Sequence, residues 1–437
     1  MVKTGWCSIR SSGNTISRIA FASFIGTAIE FYDFYIYGMA AALVIGPVFF
    51  PQSDMAAQSL NAFLTFGLAF LARPLGAALF GHFGDRIGRK ATLVASLLVM
   101  GVSTTLIGLL PGYAVLGTWA PVLLCALRFA QGIGLGGEWG GAALLATENA
   151  PAGMRGWFGM FPQLGPPAGF LLATLSFLAL AYGLSDDQFH AWGWRVPFVA
   201  SSVLVVIGLY VRLKLAETPV FAQALQAHQP VSLPLAELFR HHAQPLLLGA
   251  LAMVVCYALF YIATVFSLNY ATTKLLIPRT EFLGMLCVAV MFMALATPLS
   301  AWAADRFGRR PVLILASSAS LLSGFALGPL FESGDTLQIT ALLSLQLFLM
   351  GSTFAPMGAL LPELFPTQVR YTGAGTAYNL GGILGASFAP YIAQKLVSIG
   401  GLGWVGGLGW VGGYVSVAAA ISLLAVVAMH ETREEDF

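Results

Sequence analysis

The chain has 437 residues, of which 58% are hydrophobic and only 9% charged, with a mean hydropathy of +0.81 and a formal charge of +2. That balance excludes an ordinary water-soluble domain, in which roughly a quarter of residues carry charge, and it excludes a nucleic-acid partner, which would need a basic surface. The four cysteines, Cys7, Cys125, Cys256 and Cys287, form no Cys-x-x-Cys pair, so neither a metal site nor a disulfide framework nor any cofactor is expected.

A spanning helix needs roughly 20 mostly apolar residues. Twelve such runs are predicted in chain order: 18–46, 59–81, 91–110, 120–146, 157–182, 194–213, 245–272, 282–303, 312–331, 337–361, 371–398 and 411–429. The first carries Glu30 and Asp33, three residues apart and so on one helix face, with Tyr37 at the next turn. The second holds Arg73, the fourth Arg128 and Glu138, and the fifth Gln163. Charge at membrane depth costs roughly 2.5 to 3.5 kcal/mol per residue on insertion scales, so these five charges mark a candidate site, with static packing as the plain alternative. The rise along each helix brings Asp33 to the depth of Arg128 and Glu30 to that of Arg73, which allows ion pairs. Helices of the second half hold no charge except Lys395 near an outer end. Tyr257 and Tyr261, four apart on the seventh run, and Asn379 on the eleventh are therefore left to meet a solute with neutral groups.

The chain also repeats itself. Gly81-x-x-x-Asp85-Arg86-x-Gly88-Arg89-Lys90, between the second and third runs, returns as Ala301-x-x-x-Asp305-Arg306-x-Gly308-Arg309-Arg310 between the eighth and ninth. Glu148 and Arg155 return as Glu363 and Arg370, Gln163-Leu164-Gly165 as Asn379-Leu380-Gly381, and Glu217-Thr218 as Glu431-Thr432. The register predicts an all-α membrane protein of two six-helix halves, 1–213 and 244–437, joined by a cytoplasmic linker at 214–243. Parallel halves of this kind belong to rocking transporters that hold a solute between them. Fifteen of the 21 Lys and Arg residues fall on the side of the N-terminus, which places both termini in the cytoplasm. Arginines of the basic loops can reach Glu148 and Glu363 at the ends of the fourth and tenth runs. A tandem hexapeptide, Gly401–Gly406 and Gly407–Gly412, reads as an outer spacer with interfacial tryptophans.

These features together resemble the major facilitator superfamily, and within it the metabolite:H+ symporter group, which includes proline/betaine, alpha-ketoglutarate, shikimate and citrate permeases. The resemblance spans the whole chain. It is carried by the two basic loops, Glu30-Phe31-Tyr32-Asp33-Phe34, Ala72-Arg73-Pro74-Leu75-Gly76, Arg128-x-x-x-Gly132-x-x-x-Gly136, Gln131-Gly132 through Gly136-Gly137-Glu138, Trp192 to Phe198 and Glu217-Thr218-Pro219. Ala301 departs from the glycine usual at that place in the second loop, and a small residue there keeps the close helix approach.

What the resemblance implies is a monomeric, multi-pass transporter of a bacterial inner membrane, with a small-molecule solute, protons and the lipid bilayer as partners and no enzymatic activity. It implies a cytoplasmic latch built from Asp85, Arg86, Arg89 and Glu148 in one half and Asp305, Arg306, Arg309 and Glu363 in the other. The first and fourth helices line the central cavity in such proteins, which favours a pair between Asp33 and Arg128. Expected proton-coupling residues are Asp33, Glu30, Arg128, Glu138 and Arg73. Expected solute-binding residues are Arg128, Tyr37, Gln163, Tyr257, Tyr261 and Asn379. A sugar-porter-like chain or an uncoupled facilitator is the alternative within transport, although the seventh run lacks the paired glutamines expected of a sugar porter. Outside transport, a membrane sensor or enzyme is the remaining class, and all six histidines fall outside the predicted spans.

Overall fold

The computed structural model describes residues 16–87, 89–151, 153–214, 234–367, 369–399 and 407–434. Among them every regular element is a helix, as a lipid environment demands, because a spanning backbone must satisfy its own hydrogen bonds. The six long helices of the first half are α1 (Ile16–Leu43), α2 (Met55–Ile87), α3 (Arg89–Leu109), α4 (Trp119–Glu148), α5 (Arg155–Gly183) and α6 (Val196–Lys214). The second half follows with α7 (Ala243–Thr273), α8 (Arg279–Phe307), α9 (Arg309–Glu332) and α10 (Thr336–Glu363). It ends with α11, running through Arg370–Gly382, Ile383–Ser387 and Ala389–Ser398, and α12 (Leu408–Ala428). Nine of these, among the described residues, are long and apolar enough to cross a membrane by length and composition. The expected linker, 214–243, falls largely on 215–233, outside the described residues, and a short helix, Pro234–His241, stands at its end.

Each half is built on close helix approaches through glycine. A Cβ on Gly132 would stand 2.1 Å from the Ala69 carbonyl oxygen, and one on Gly136 would stand 2.0 Å from that of Arg73. The glycines expected from the Arg128-x-x-x-Gly132-x-x-x-Gly136 pattern thus let α4 lie on α2 with backbone touching backbone. In the second half a Cβ on Gly412 would stand 2.1 Å from Gly324 O, joining α12 to α9. This corrects the spacer reading of the tandem hexapeptide: Gly407 caps α12 at a φ of 50°, and Leu408 to Gly412 form its first turns. The first copy, 401–406, lies outside the described residues.

Several spans are interrupted at depth. α4 breaks between Gly136 and Trp139, with Gly137 and Glu138 between the two pieces, and α10 breaks in the corresponding place, between Phe354 and Met357. α7 and α11 each contain a π-helical turn, Ile262–Phe266 and Ile383–Ser387. Breaks of this kind inside a bilayer are tolerated where the freed carbonyls find partners in the protein.

Candidate functional site

All five intramembrane charges are buried: Glu30, Asp33, Arg73, Arg128 and Glu138. In the first half, Asp33 Oδ1 accepts a hydrogen bond of 2.5 Å from Ser201 on α6, and Oδ2 is buried without a hydrogen-bond partner. The expected direct pair with Arg128 is not formed. Instead Arg128 donates from Nη1 to Gln131 Oε1, from Nη2 to Phe66 O at 3.1 Å and from Nε to Thr65 O at 3.4 Å. Gln131 then donates from Nε2 to the Asp33 carbonyl at 3.2 Å and to Thr104 Oγ1 at 2.8 Å. Gln131 intercepts the guanidinium because it follows Arg128 by three residues and shares its helix face. Tyr37 lies under Arg128, its ring centroid 3.7 Å from Cζ, and meets Thr65 Oγ1 at 2.6 Å. Arg128 is therefore wired into its own half, with Asp33 reached through one amide.

Arg73 is placed differently. Its guanidinium stands 4.4 Å from the Phe70 ring centroid and 4.6 Å from that of Phe34, and its Nε is buried without a hydrogen-bond partner. Glu30, expected to pair with it directly, acts on it through space, as do Tyr257, Tyr261 and Tyr378 of the other half. Tyr257 and Tyr261 stack in parallel, centroids 6.4 Å apart, with Tyr261 5.5 Å from Phe70. Tyr378 on α11 lies 5.6 Å from Tyr257 and stacks on Trp139 of α4 at 4.0 Å and 6°. The result is an aromatic cage around one cation, with α1, α2 and α4 on one side and α7 and α11 on the other. Tyr378 and Trp139 escaped the sequence reading, although each is the immediate neighbour of a residue it singled out, Asn379 and Glu138.

Gln163 and Asn379, expected to touch solute, each bond to the opposite half. Gln163 on α5 donates to Phe354 O at 2.8 Å, the carbonyl at the α10 break, and accepts from Trp139 Nε1 at 3.0 Å. Asn379 on α11 donates to Gly136 O at 3.1 Å, the carbonyl at the α4 break. The two amides thus perform one operation in opposite directions, each bridging from its own half to the broken helix of the other. Tyr371 adds a bond of 2.6 Å to Gly137 O.

At the end of the bundle assigned to the cytoplasm, Asp305 accepts from Gly156 N at 2.8 Å and Trp157 N at 2.7 Å, capping the start of α5 across the interface between halves. Arg309 joins Asp305 at 2.7 Å and Glu363 at 3.1 Å, and Thr432 donates to Glu363 at 2.7 Å. Arg306 instead lies over the rings of Trp302 and Phe307. Glu148 acts electrostatically on Arg370 across the halves. The side chains of Asp85, Arg86 and Arg89 lie outside the described residues. At the opposite end, Asn269 donates to Ala42 O and Ser387 to Gly67 O, each at 2.9 Å, and Arg279 meets Asp186 at 3.0 Å while stacking 3.8 Å from the Phe189 ring. Bonds between the halves therefore stand at both ends, with the cage between them.

A twelve-helix bundle with buried charge between two related halves defines a membrane transporter rather than an enzyme. The sugar (and other) transporter family model matches residues 19–230 and again 222–437, and the chain belongs to this family of the major facilitator superfamily. It is 54% identical over 395 residues to the inner membrane metabolite transport protein YhjE of Escherichia coli K12, covering 89% of this chain and 90% of that one. The shikimate transporter of the same organism is 39% identical (87% and 88% covered), and its proline/betaine transporter is 33% identical (86% and 77%). Among solved structures, the partially occluded, inward-open xylose transporter XylE of E. coli superposes with a TM-score of 0.72 at 18% identity, over 97% of this chain and 99% of that one.

Proposed function

We propose that the protein is a proton-coupled symporter that carries a small organic acid or zwitterionic metabolite across a bacterial inner membrane by alternating access, with both termini in the cytoplasm. The observation that carries this reading is the division of labour between the halves. Among the described residues the buried charges at the centre, Glu30, Asp33, Arg73, Arg128 and Glu138, all come from the first half, including the Asp33 carboxyl on Ser201, while the second half presents the neutral rings of Tyr257, Tyr261 and Tyr378 to the same centre. A carboxyl buried between helices and tied to one hydroxyl is a group that can take up a proton from one side and release it to the other. Asp33 is assigned the coupling proton, and Glu30, three residues earlier on the same face, is assigned the second place. The relatives support the solute class: their names specify metabolites, shikimate, proline and betaine, each of the named solutes being a carboxylate or zwitterion. Glu138 at the α4 break stays with the proton-coupling group, and the Arg309, Asp305 and Glu363 cluster is assigned to the opening and closing of the cytoplasmic end.

Uptake into proteoliposomes from a panel of shikimate, proline, glycine betaine and alpha-ketoglutarate, with and without an inward proton gradient, tests the reading. Gradient-driven accumulation of at least one of them is expected. Equal uptake with and without the gradient would make the chain a facilitator, and transport of a sugar in preference to all four would return it to the sugar porters.

A further inference from the structure

Two arginines lie at the centre of the bundle, and among the described residues Arg128 is held by three hydrogen bonds while Arg73 is held by none. Arg128 spends three of its nitrogens on Gln131 and on the carbonyls of Phe66 and Thr65. Arg73 forms no hydrogen bond to any described residue, its Nε is buried unpartnered, and its Cζ lies over the Phe34 and Phe70 rings. A guanidinium held over aromatic rings keeps its N–H donors for recognition, and their fork matches the two oxygens of a carboxylate. A static packing role would leave such a side chain with carbonyl acceptors, as Arg128 has.

The surroundings specify more. From the second half, Tyr261 and Tyr257 of α7 bring their ring centroids to 5.5 and 6.3 Å from that of Phe70, and Gly382 of α11 is where a Cβ would meet Phe70 at 3.2 Å and Tyr257 at 3.5 Å. Absence of a side chain at Gly382 is what lets α11 bring Tyr378 to Tyr257. The walls are thus aromatic faces with hydroxyl tips, suited to a compact apolar or methylated-ammonium body. They come from the half opposite Arg73, so a solute held by both would bridge the two halves.

We propose that Arg73, rather than Arg128, anchors the solute's carboxylate, and that Tyr257, Tyr261 and Tyr378 enclose the remainder of a compact carboxylate-bearing solute. This rests on the transport reading above and names the group at its centre. Arg128 then serves as a positioning residue, holding Gln131 and through it the Asp33 segment of α1. Loading Arg73 with an anion also changes the charge felt by Glu30, which connects solute binding to the carboxylates of α1 without direct contact.

The experiment measures binding to the purified full chain as the shift in thermal unfolding with shikimate, proline or glycine betaine, and each acid is compared with a form lacking the carboxylate: shikimate methyl ester, prolinamide and choline. The wild type is expected to be stabilised by at least one acid and not by its counterpart. Arg73→Gln should weaken that binding by about a hundredfold, the size expected for losing one partner of a buried ion pair. Arg73→Lys should lose about tenfold, because a point charge cannot present two parallel donors. If Arg73→Gln unfolds at a much lower temperature without ligand, Arg73→Lys together with Tyr261→Leu, which removes the aromatic face, carries the test, and both should weaken binding. Wild-type affinity in Arg73→Lys and Tyr261→Leu, equal stabilisation by the ester or amide, or loss confined to Arg128→Gln would each overturn the assignment, as would the absence of a shift with all three acids. Loss of gradient-driven uptake in the wild type with the Arg73-dependent shift intact would instead overturn symport and leave the anchor standing.

Discussion

At the residue scale the sequence locates the charges but puts Asp33 directly on Arg128, where the structure has Gln131 between them, for a reason that is geometric. Rise per residue fixes depth, so Asp33 and Arg128 were correctly brought to one level, but depth does not say which side chain stands between them. Gln131 does, and its position three residues after Arg128 was the available signal. Ser201 left none, since a serine in an apolar helix usually bonds only its own backbone. Two predictions belong here. Asp33→Asn should abolish uphill uptake driven by a proton gradient while solute exchange at equal concentrations continues, because exchange moves no net proton. Retained uphill uptake in that variant, with the loss appearing in Glu30→Gln, would transfer the proton to Glu30. Arg128→Lys should impair transport even though the charge is kept, since one ammonium cannot serve Gln131, Phe66 O and Thr65 O together. Leaving a buried carbonyl unpaired costs about 1–3 kcal/mol, so its unfolding temperature should fall; wild-type stability and turnover would show that the network does not depend on planar geometry.

At the scale of elements, the echo between Gln163 and Asn379 was legible in the sequence and its meaning was not. The echo only says that both positions face equivalent surroundings; what those surroundings are depends on the breaks in α4 and α10. The sequence marks the first break with Gly136-Gly137 and the second with Ala355-Pro356, but neither residue pair declares that its carbonyls face the opposite half. If the amides hold the breaks, Gln163→Leu should leave Phe354 O and the Trp139 indole N–H unpaired and lower amide-exchange protection at 354–357, and Asn379→Leu should leave Gly136 O unpaired and lower it at 136–139. Because Gln163 also bonds Trp139 at the α4 break, the two effects should depart from additivity by about 0.5–3 kcal/mol. If the amides bind solute instead, affinity falls and protection at both breaks stays as in the wild type. A third element-level test uses packing: with 2.0 Å between a Cβ at Gly136 and Arg73 O, Gly136→Val must push α4 from α2 and disturb the Arg73 cage. Expected is a loss of stability of more than about 2 kcal/mol, in the range of overpacked cores, read by thermal unfolding; a variant as stable as the wild type would mean that the two helices separate without cost.

At the scale of the whole molecule, the twelve helices and their duplication could be read directly, because hydropathy and repeat register are properties of the chain alone, whereas the closed arrangement of the halves depends on contacts between distant residues. That arrangement sets up the last prediction. Opening towards the outside must separate Asn269 from Ala42, Ser387 from Gly67 and Arg279 from Asp186, while opening towards the cytoplasm must separate Asp305 from the start of α5 and the two amides from their breaks. Removing a contact present in the closed state and absent from one open state shifts the population towards that open state by the free energy of the contact. Asp305→Ala removes a carboxylate that caps two backbone amides and neutralises Arg309, a coupling of about 1–3 kcal/mol, and should favour the inward-open state by roughly 5- to 150-fold. Arg279→Ala removes a half-solvated ion pair, worth about 0–1 kcal/mol, together with stacking on buried Phe189, so its outward shift should be smaller, up to about tenfold. Labelling of single cysteines introduced at Gly375 and at Ser59 in an otherwise cysteine-free chain gives both readouts. Faster labelling at Gly375 in Asp305→Ala and at Ser59 in Arg279→Ala is expected. An increase at the same end in both variants, or at neither end, would mean that these contacts do not govern which side opens.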